Sequence, residues 1–263
     1  MMIGCCILRT MYYYIFDVKR CKKRATIETI KSALLELGIS GEYNYISNAQ
    51  TAEQLVDLGL ARGYSTIVGI GGDDLINSIA NRMVGRKEAM GAIPMDISSS
   101  MQSLLGLDSW REACEALRFR RIKEMYVGRT ANGEHFLTEA YIDTTKPVNL
   151  TIEFKDYIIQ VLAKNFMVSN YHPGIKKFGP DYLDIVIESQ PPDKSSIVDK
   201  FKSIFGTKTI TEAKALSTMH ARSMRIFTKR PVPILAGDKM IAKTPQLIES
   251  SDEMLRLIVS RKH

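Results

Sequence analysis

The strongest chemical pattern in this 263-residue chain is Gly71-Gly72-Asp73-Asp74-Leu75-Ile76-Asn77. It follows Thr66–Ile70, a run of β-formers without alternation, as expected of a strand buried on both faces. Paired glycines at the carboxyl end of such a strand let the backbone approach a phosphate. The helix that follows offers unpaired N–H groups to an anion. An aspartate in the turn, Asp73, can hold a metal that accompanies phosphates. A tight strand–helix turn, with glycine for geometry and aspartate as an N-cap, uses the same residues, so both readings stand at this point.

Other reactive side chains form no such pattern. His135, His172, His220 and His263 lack ligand spacing and read as structural or surface residues. Cys5, Cys6, Cys21 and Cys114 fit neither a disulfide framework nor a zinc site, which suits thiols in a reducing cytoplasm. Tyr12-Tyr13-Tyr14 reads as strand packing, and Met83, Met90, Met95 and Met101 as core or pocket lining.

The elements that must position the glycine turn come from periodicity. Tyr12–Phe16 is a strand, and Thr26–Leu37 is a helix with Ile27, Ile30, Leu34 and Leu37 on one face, stopped by Gly38. Glu42–Ile46 is a short strand. Thr51 and Gln54 form a capping box before a helix that ends at Gly63. Leu75–Met83 is helical, Ala92-Ile93-Pro94 ends a strand, and Ser98–Leu105 starts a helix. This alternation predicts a doubly wound parallel sheet over residues 1–120. From 121 to 263 short β-like runs follow one another: Met125–Gly128, His135–Tyr141, Val148–Phe154, Tyr157–Ala163, Tyr182–Glu188, Met219–Phe227 and Leu255–Val259. They predict an antiparallel β-sandwich, interrupted by a polar helix at Ser196–Ile204.

Composition narrows the partners. The chain is 45% hydrophobic and 25% charged, which excludes a disordered or fibrous protein. The net charge of +7 is concentrated in residues 121–263, where 22 basic face 16 acidic side chains. That half invites an anionic partner. No nucleic-acid motif accompanies the charge, so nucleic acid ranks last among the partners. No secretory leader pattern and no run of about 18 apolar residues is present. The expectation is a cytoplasmic protein, with a peripheral position at the inner membrane surface and a homodimer both left open.

The glycine turn and the segment Pro94–Gly106 together resemble the diacylglycerol kinase catalytic domain family, which includes sphingosine, ceramide and bacterial lipid kinases. The NAD kinases are its more distant relatives. The family pattern G-G-D-G-T-x-N-E matches at Gly71, Gly72, Asp73 and Asn77. Its second pattern, P-L-G-T-G-N-D-F-A-R-x-L-G, aligns without a gap with Pro94 to Gly106. Leu183-Asp184-Ile185-Val186 resembles the family's L-D-V-V strand, and Ala236-Gly237-Asp238 falls where the family has a D-G-E turn.

The resemblance implies a lipid kinase that moves the γ-phosphate of ATP to a lipid hydroxyl with Mg²⁺. A nucleotide- or lipid-binding module with little or no transfer is the alternative. It further implies that Asp238 takes the proton from the hydroxyl, and that Asp73 helps hold the metal and nucleotide. Gly71, Gly72, Asp74, Asn77, Ser98, Ser99 and Ser100 would contact phosphates. The basic loop holding Lys19, Arg20 and Lys22 stands where the family has N-P-x-S-G; it is either a charge clamp for phosphate or a solvated loop. Two departures bring acids into the pattern, Asp74 for its third glycine and Asp96 for the first glycine of the second motif. A carboxylate about 4 Å from a phosphate charge costs roughly 1 kcal/mol in water. Pro180-Asp181 replaces the family's D-G before the L-D-V-V strand.

Overall fold

A computed structural model describes residues 12–21, 24–171, 178–189 and 215–261. The first half alternates as its periodicity predicts. The elements are β1 (Tyr12–Phe16), α1 (Arg24–Glu36), β2 (Glu42–Tyr45), α2 (Ala52–Ala61), β3 (Thr66–Gly71), α3 (Asp73–Met83), β4 (Ala89–Pro94), α4 (Ser99–Leu105) and α5 (Trp110–Phe119). The capping box is present: Thr51 Oγ1 accepts from Gln54 N at 3.3 Å, and Gln54 Oε1 accepts from Thr51 N at 3.0 Å.

The four strands are parallel in the order β2-β1-β3-β4. Tyr13, Tyr14, Ile15 and Phe16 of β1 are fully buried, which explains the missing alternation. Each such side chain contributes about 1.5–3 kcal/mol on burial. Neighbouring tyrosines face opposite helices. The Tyr12 hydroxyl donates to the Leu117 carbonyl in α5 at 2.8 Å, while the Tyr13 ring packs beside Gly59 of α2. The sheet is therefore covered on both faces, and the three tyrosines are packing residues.

Helix α5 was not evident from periodicity. Its buried face is Ala113, Cys114, Ala116 and Leu117, mostly small side chains set among charged neighbours. It ends at Arg120 in a left-handed conformation (φ 52°) with no glycine to mark the stop.

The second half is strand-rich and antiparallel. It comprises β5 (Ile122–Thr130), β6 (His135–Phe136), β7 (Glu139–Glu153), β8 (Ile158–Ser169), β9 (Leu183–Ser189), β10 (Ala215–Ala221), β11 (Ser223–Thr228), β12 (Pro233–Ala236), β13 (Lys239–Lys243) and β14 (Gln246–Ile258). These strands do not divide into two hydrogen-bonded sheets. All fourteen strands of the described residues share one network, because β14 pairs antiparallel with β5 and β11 and meets β4 in parallel at Leu257 and Met90. A register shift in β7 between Asp143 and Val148 lets its first part meet β12 and its second part meet β11.

Two apolar cores result. One lies around the parallel strands and draws Val127, Leu137, Leu255 and Leu257 from the second half. The other is enclosed by β7, β8, β9 and β11 to β14. The polar helix expected at 196–204 lies outside the described residues. No helix among the described residues is long and apolar enough to cross a membrane.

Candidate active site

In the order β2-β1-β3-β4, the connections from β1 and β3 leave in opposite directions, so a crevice opens beyond their carboxyl ends. The loop after β1 carries Arg20, and the turn after β3 carries Gly72, Asp73 and Asp74. Backbone hydrogen bonds hold these loops together: Asp17 N donates to Ile70 O and Met95 N to Gly71 O, both at 2.9 Å. The crevice is a cleft of about 400 Å³. Arg20, Asp73, Asp74, Asn77, Asp96, Ile97 and Ser98 line one side; Thr138, Glu139, Tyr141, Gly237 and Asp238 line the other.

Asp73 ties the two turns. Its carboxylate oxygens share the Ser98 N–H at 3.2 Å each. Ser98 is the N-cap of α4, and its hydroxyl oxygen accepts from Met101 N at 3.2 Å. Asn77 and Ser100 join the halves of the molecule: Asn77 Oδ1 accepts from Leu137 N at 3.3 Å, and the Ser100 hydroxyl donates to Glu139 Oε1 at 3.1 Å. Both side chains are buried.

Asp96 keeps the backbone shape of the glycine it replaces, with φ at 65°. Aspartate is one of the few residues that visit this region, at a cost of roughly 1–2 kcal/mol. Gly237 also needs its own conformation, with φ at +60°, and a Cβ there would lie 3.3 Å from Asp74 Oδ1. The Tyr141 hydroxyl fixes that turn by donating to Gly237 O at 2.8 Å. The turn thus carries Asp238 to the cleft rim, where its side chain is 87% exposed.

Arg20 stands at the centre. Its guanidinium lies 3.9 Å from Asp74 Oδ2, 3.7 Å from Asp96 Oδ2 and 3.8 Å from Asp238 Oδ2. A Cβ on Gly72 would come within 3.3 Å of Arg20 Nε, so the bare glycine leaves room for arginine. Burial pushes the Asp74 carboxyl above the usual carboxylate range, and the negative charge of Asp238 adds to this while Arg20 opposes it. The Asp238 N–H approaches that carboxylate, yet Asp74 Oδ1 closes no hydrogen bond of normal geometry.

Of the remaining sequence candidates, Lys19 and Ser99 are exposed and do not line the cleft, and Lys22 lies outside the described residues. His135 is held by Asn81, whose Oδ1 accepts from His135 N at 2.6 Å, and burial lowers its imidazole pKa. His220 pairs through Nδ1 with the buried Asp184 at 2.6 Å. His172 and His263 lie outside the described residues, as do Cys5 and Cys6. Glu139, Tyr141 and Thr138 were missed from sequence, whereas Ile97 lies in the second family pattern. Nothing in the local pattern of the first three separates them from ordinary strand and loop residues.

The donors present do not suit a resident Mg²⁺ ion, the metal that the resemblance implies. Asp73 accepts a backbone N–H, and the other three aspartates face a guanidinium. Among the described residues no three His, Cys, Asp or Glu side chains are placed to hold a metal.

Part of this arrangement is similar to a known family. Residues 19–130 match the diacylglycerol kinase catalytic domain. Over those residues, fewer than half of the chain, the sequence is similar to that family. The match spans β1's outgoing loop, both glycine-motif turns and β5, and stops before the strands that supply Asp238. A diacylglycerol kinase from Bacillus anthracis strain Sterne superposes with a TM-score of 0.73 at 19% identity, over 96% of this chain and 98% of that chain. A second chain from the same strain, assigned as a diacylglycerol kinase, gives a TM-score of 0.75 at 16% identity over the same shares. At these identities the likeness is one of fold, and it extends that of the diacylglycerol kinase domain through the second half. No curated protein sequence matches this one.

Proposed function

We propose that the chain is a diacylglycerol kinase-like lipid kinase that transfers the γ-phosphate of ATP to a lipid hydroxyl. The observation that carries this reading is the meeting of Asp73, from the family-matched turn, and Asp238, from a hairpin outside the match, on one cleft. In this reading the lipid oxygen attacks the γ-phosphorus and forms the new O–P bond. The bond to the β,γ-bridging oxygen breaks, ADP leaves, and the Asp238 carboxylate takes the hydroxyl proton. Phosphoryl transfer rests mostly on positioning and charge neutralisation. Arg20 and the Ser98 end of α4 face the phosphates, and Asp73 keeps the two turns in register. Asp238 is one methylene shorter than the glutamate of the family turn, and its exposure lets it swing to a hydroxyl held above the cleft.

The substrate would be taken from an anionic bilayer by the basic second half, where each nearby Lys or Arg contributes about 1 kcal/mol. The test is ATP binding with and without Mg²⁺, followed by transfer of radiolabelled γ-phosphate to a panel of lipids in anionic vesicles. Label in one lipid class, lost in Asp73→Asn, supports the reading. ATP binding with no transfer to any lipid leaves a nucleotide-binding module instead.

A further inference from the structure

Among the described residues that line the cleft, Arg20 is the one cation, and five are acids: Asp73, Asp74, Asp96, Glu139 and Asp238. Its guanidinium is shared among three carboxylates from three separate segments, at 3.7 to 3.9 Å. Such contacts are longer than a charge-assisted hydrogen bond and involve partly exposed side chains. Each holds Arg20 weakly, and together they centre it over Gly72, where the backbone leaves space for it. A phosphate entering the cleft needs that same guanidinium, because a bidentate arginine contact is the strongest interaction this lining can offer an oxyanion.

We propose that Arg20 is the cleft's own counter-ion in place of a divalent cation, and that Asp74 and Asp96 compete with phosphate for it. The two acids then set how tightly the cleft takes a phosphate group. Asp238 is released as Arg20 turns from carboxylates to phosphate, so phosphate binding would free the carboxylate assigned to the hydroxyl proton. This rests on the reading of the cleft as a phosphate site, and it concerns binding alone.

The test uses inorganic pyrophosphate, without any metal, titrated calorimetrically into the full chain. Removing a carboxylate about 4 Å from the guanidinium should raise the affinity about fivefold in Asp74→Asn and in Asp96→Asn, and more in the double variant. Arg20→Met should cancel the gain in every background, while Arg20→Lys, a point charge that cannot span the lining, should keep part of it. Asp57→Asn, which removes an acid paired at 3.7 Å with Arg82 outside the cleft, should change nothing. A gain that survives Arg20→Met, or no gain in either aspartate variant, would overturn the proposal. Lipid phosphorylation with unchanged pyrophosphate affinities would sink this proposal and leave the kinase reading intact. The predicted gains with no lipid phosphorylation would do the reverse.

Discussion

The turn after β3 and the turn after β4 belong to one family pattern and have diverged differently. The first keeps Gly71, Gly72 and Asp73, and the helix after it starts at once. In the second, Asp96 stands at the glycine position yet retains a positive φ of 65°. The backbone hydrogen bond from Met95 N to Gly71 O, and the Ser98 N–H donated to the retained Asp73 carboxylate, hold the two turns in register without using the side chains of Asp74 or Asp96. Shape has therefore been kept by the backbone, while the electrostatics of the cleft were rewritten by Asp74 and Asp96. A fold match follows the first property, and the chemistry follows the second.

The comparison can be broken on its structural side first. Asn77→Ala removes the acceptor of the Leu137 N–H at a buried junction between the halves, and a buried donor left unpaired costs about 1–3 kcal/mol. Urea unfolding should show that loss, and an unchanged midpoint would mean that Asn77 does not hold the second half. Asp96→Gly tests the second turn. Relief of the left-handed conformation, partly offset by the greater freedom of glycine in the unfolded chain, should leave stability unchanged or raised by up to about 1 kcal/mol. A clear drop in the melting temperature would show that the Asp96 side chain itself holds the turn.

The smallest effect is electrostatic. The Asp74 carboxyl is raised on folding, chiefly by burial, so its ionisation in the folded state costs stability. That cost is absent below its unfolded pKa, grows as the pH rises through the folded value, and is complete above it. With the side chain 46% exposed, Asp74→Asn should stabilise at pH 7 by a few tenths of a kcal/mol, roughly the scale of surface charge effects. The gain should vanish at pH 3. A gain that grows with acidity would reverse the assigned sign.

Much of the fold could be read from the sequence because burial and periodicity coincide there. β1 and β3 lack alternation because both faces are covered, and Thr51 with Gln54 announces its helix by side-chain chemistry. Helix α5 escaped because its buried face is built of small residues, although Ser109-x-x-Glu112 is a start signal: Ser109 Oγ accepts from Glu112 N at 3.2 Å. The candidate site was legible only where a family pattern marked it. Asp73, Asp74 and Asp238 stand at positions of the family pattern, and they do share the cleft. The charge of Arg20 was visible as part of a basic loop, but its three carboxylate partners lie 54, 76 and 218 positions away, beyond any local rule. Glu139 and Tyr141 reach the cleft only because β7 begins there.

The most direct test of the central claim is to compare the chain with Asp238→Asn for transfer of radiolabelled γ-phosphate from ATP to the lipid panel in anionic vesicles. The side chain is exposed, so the variant should fold and melt like the parent. The account predicts labelled lipid from the parent and a loss of about 10²–10⁴-fold in the variant, the span of a general base. Equal transfer by both proteins, or no labelled lipid from the parent, would contradict it.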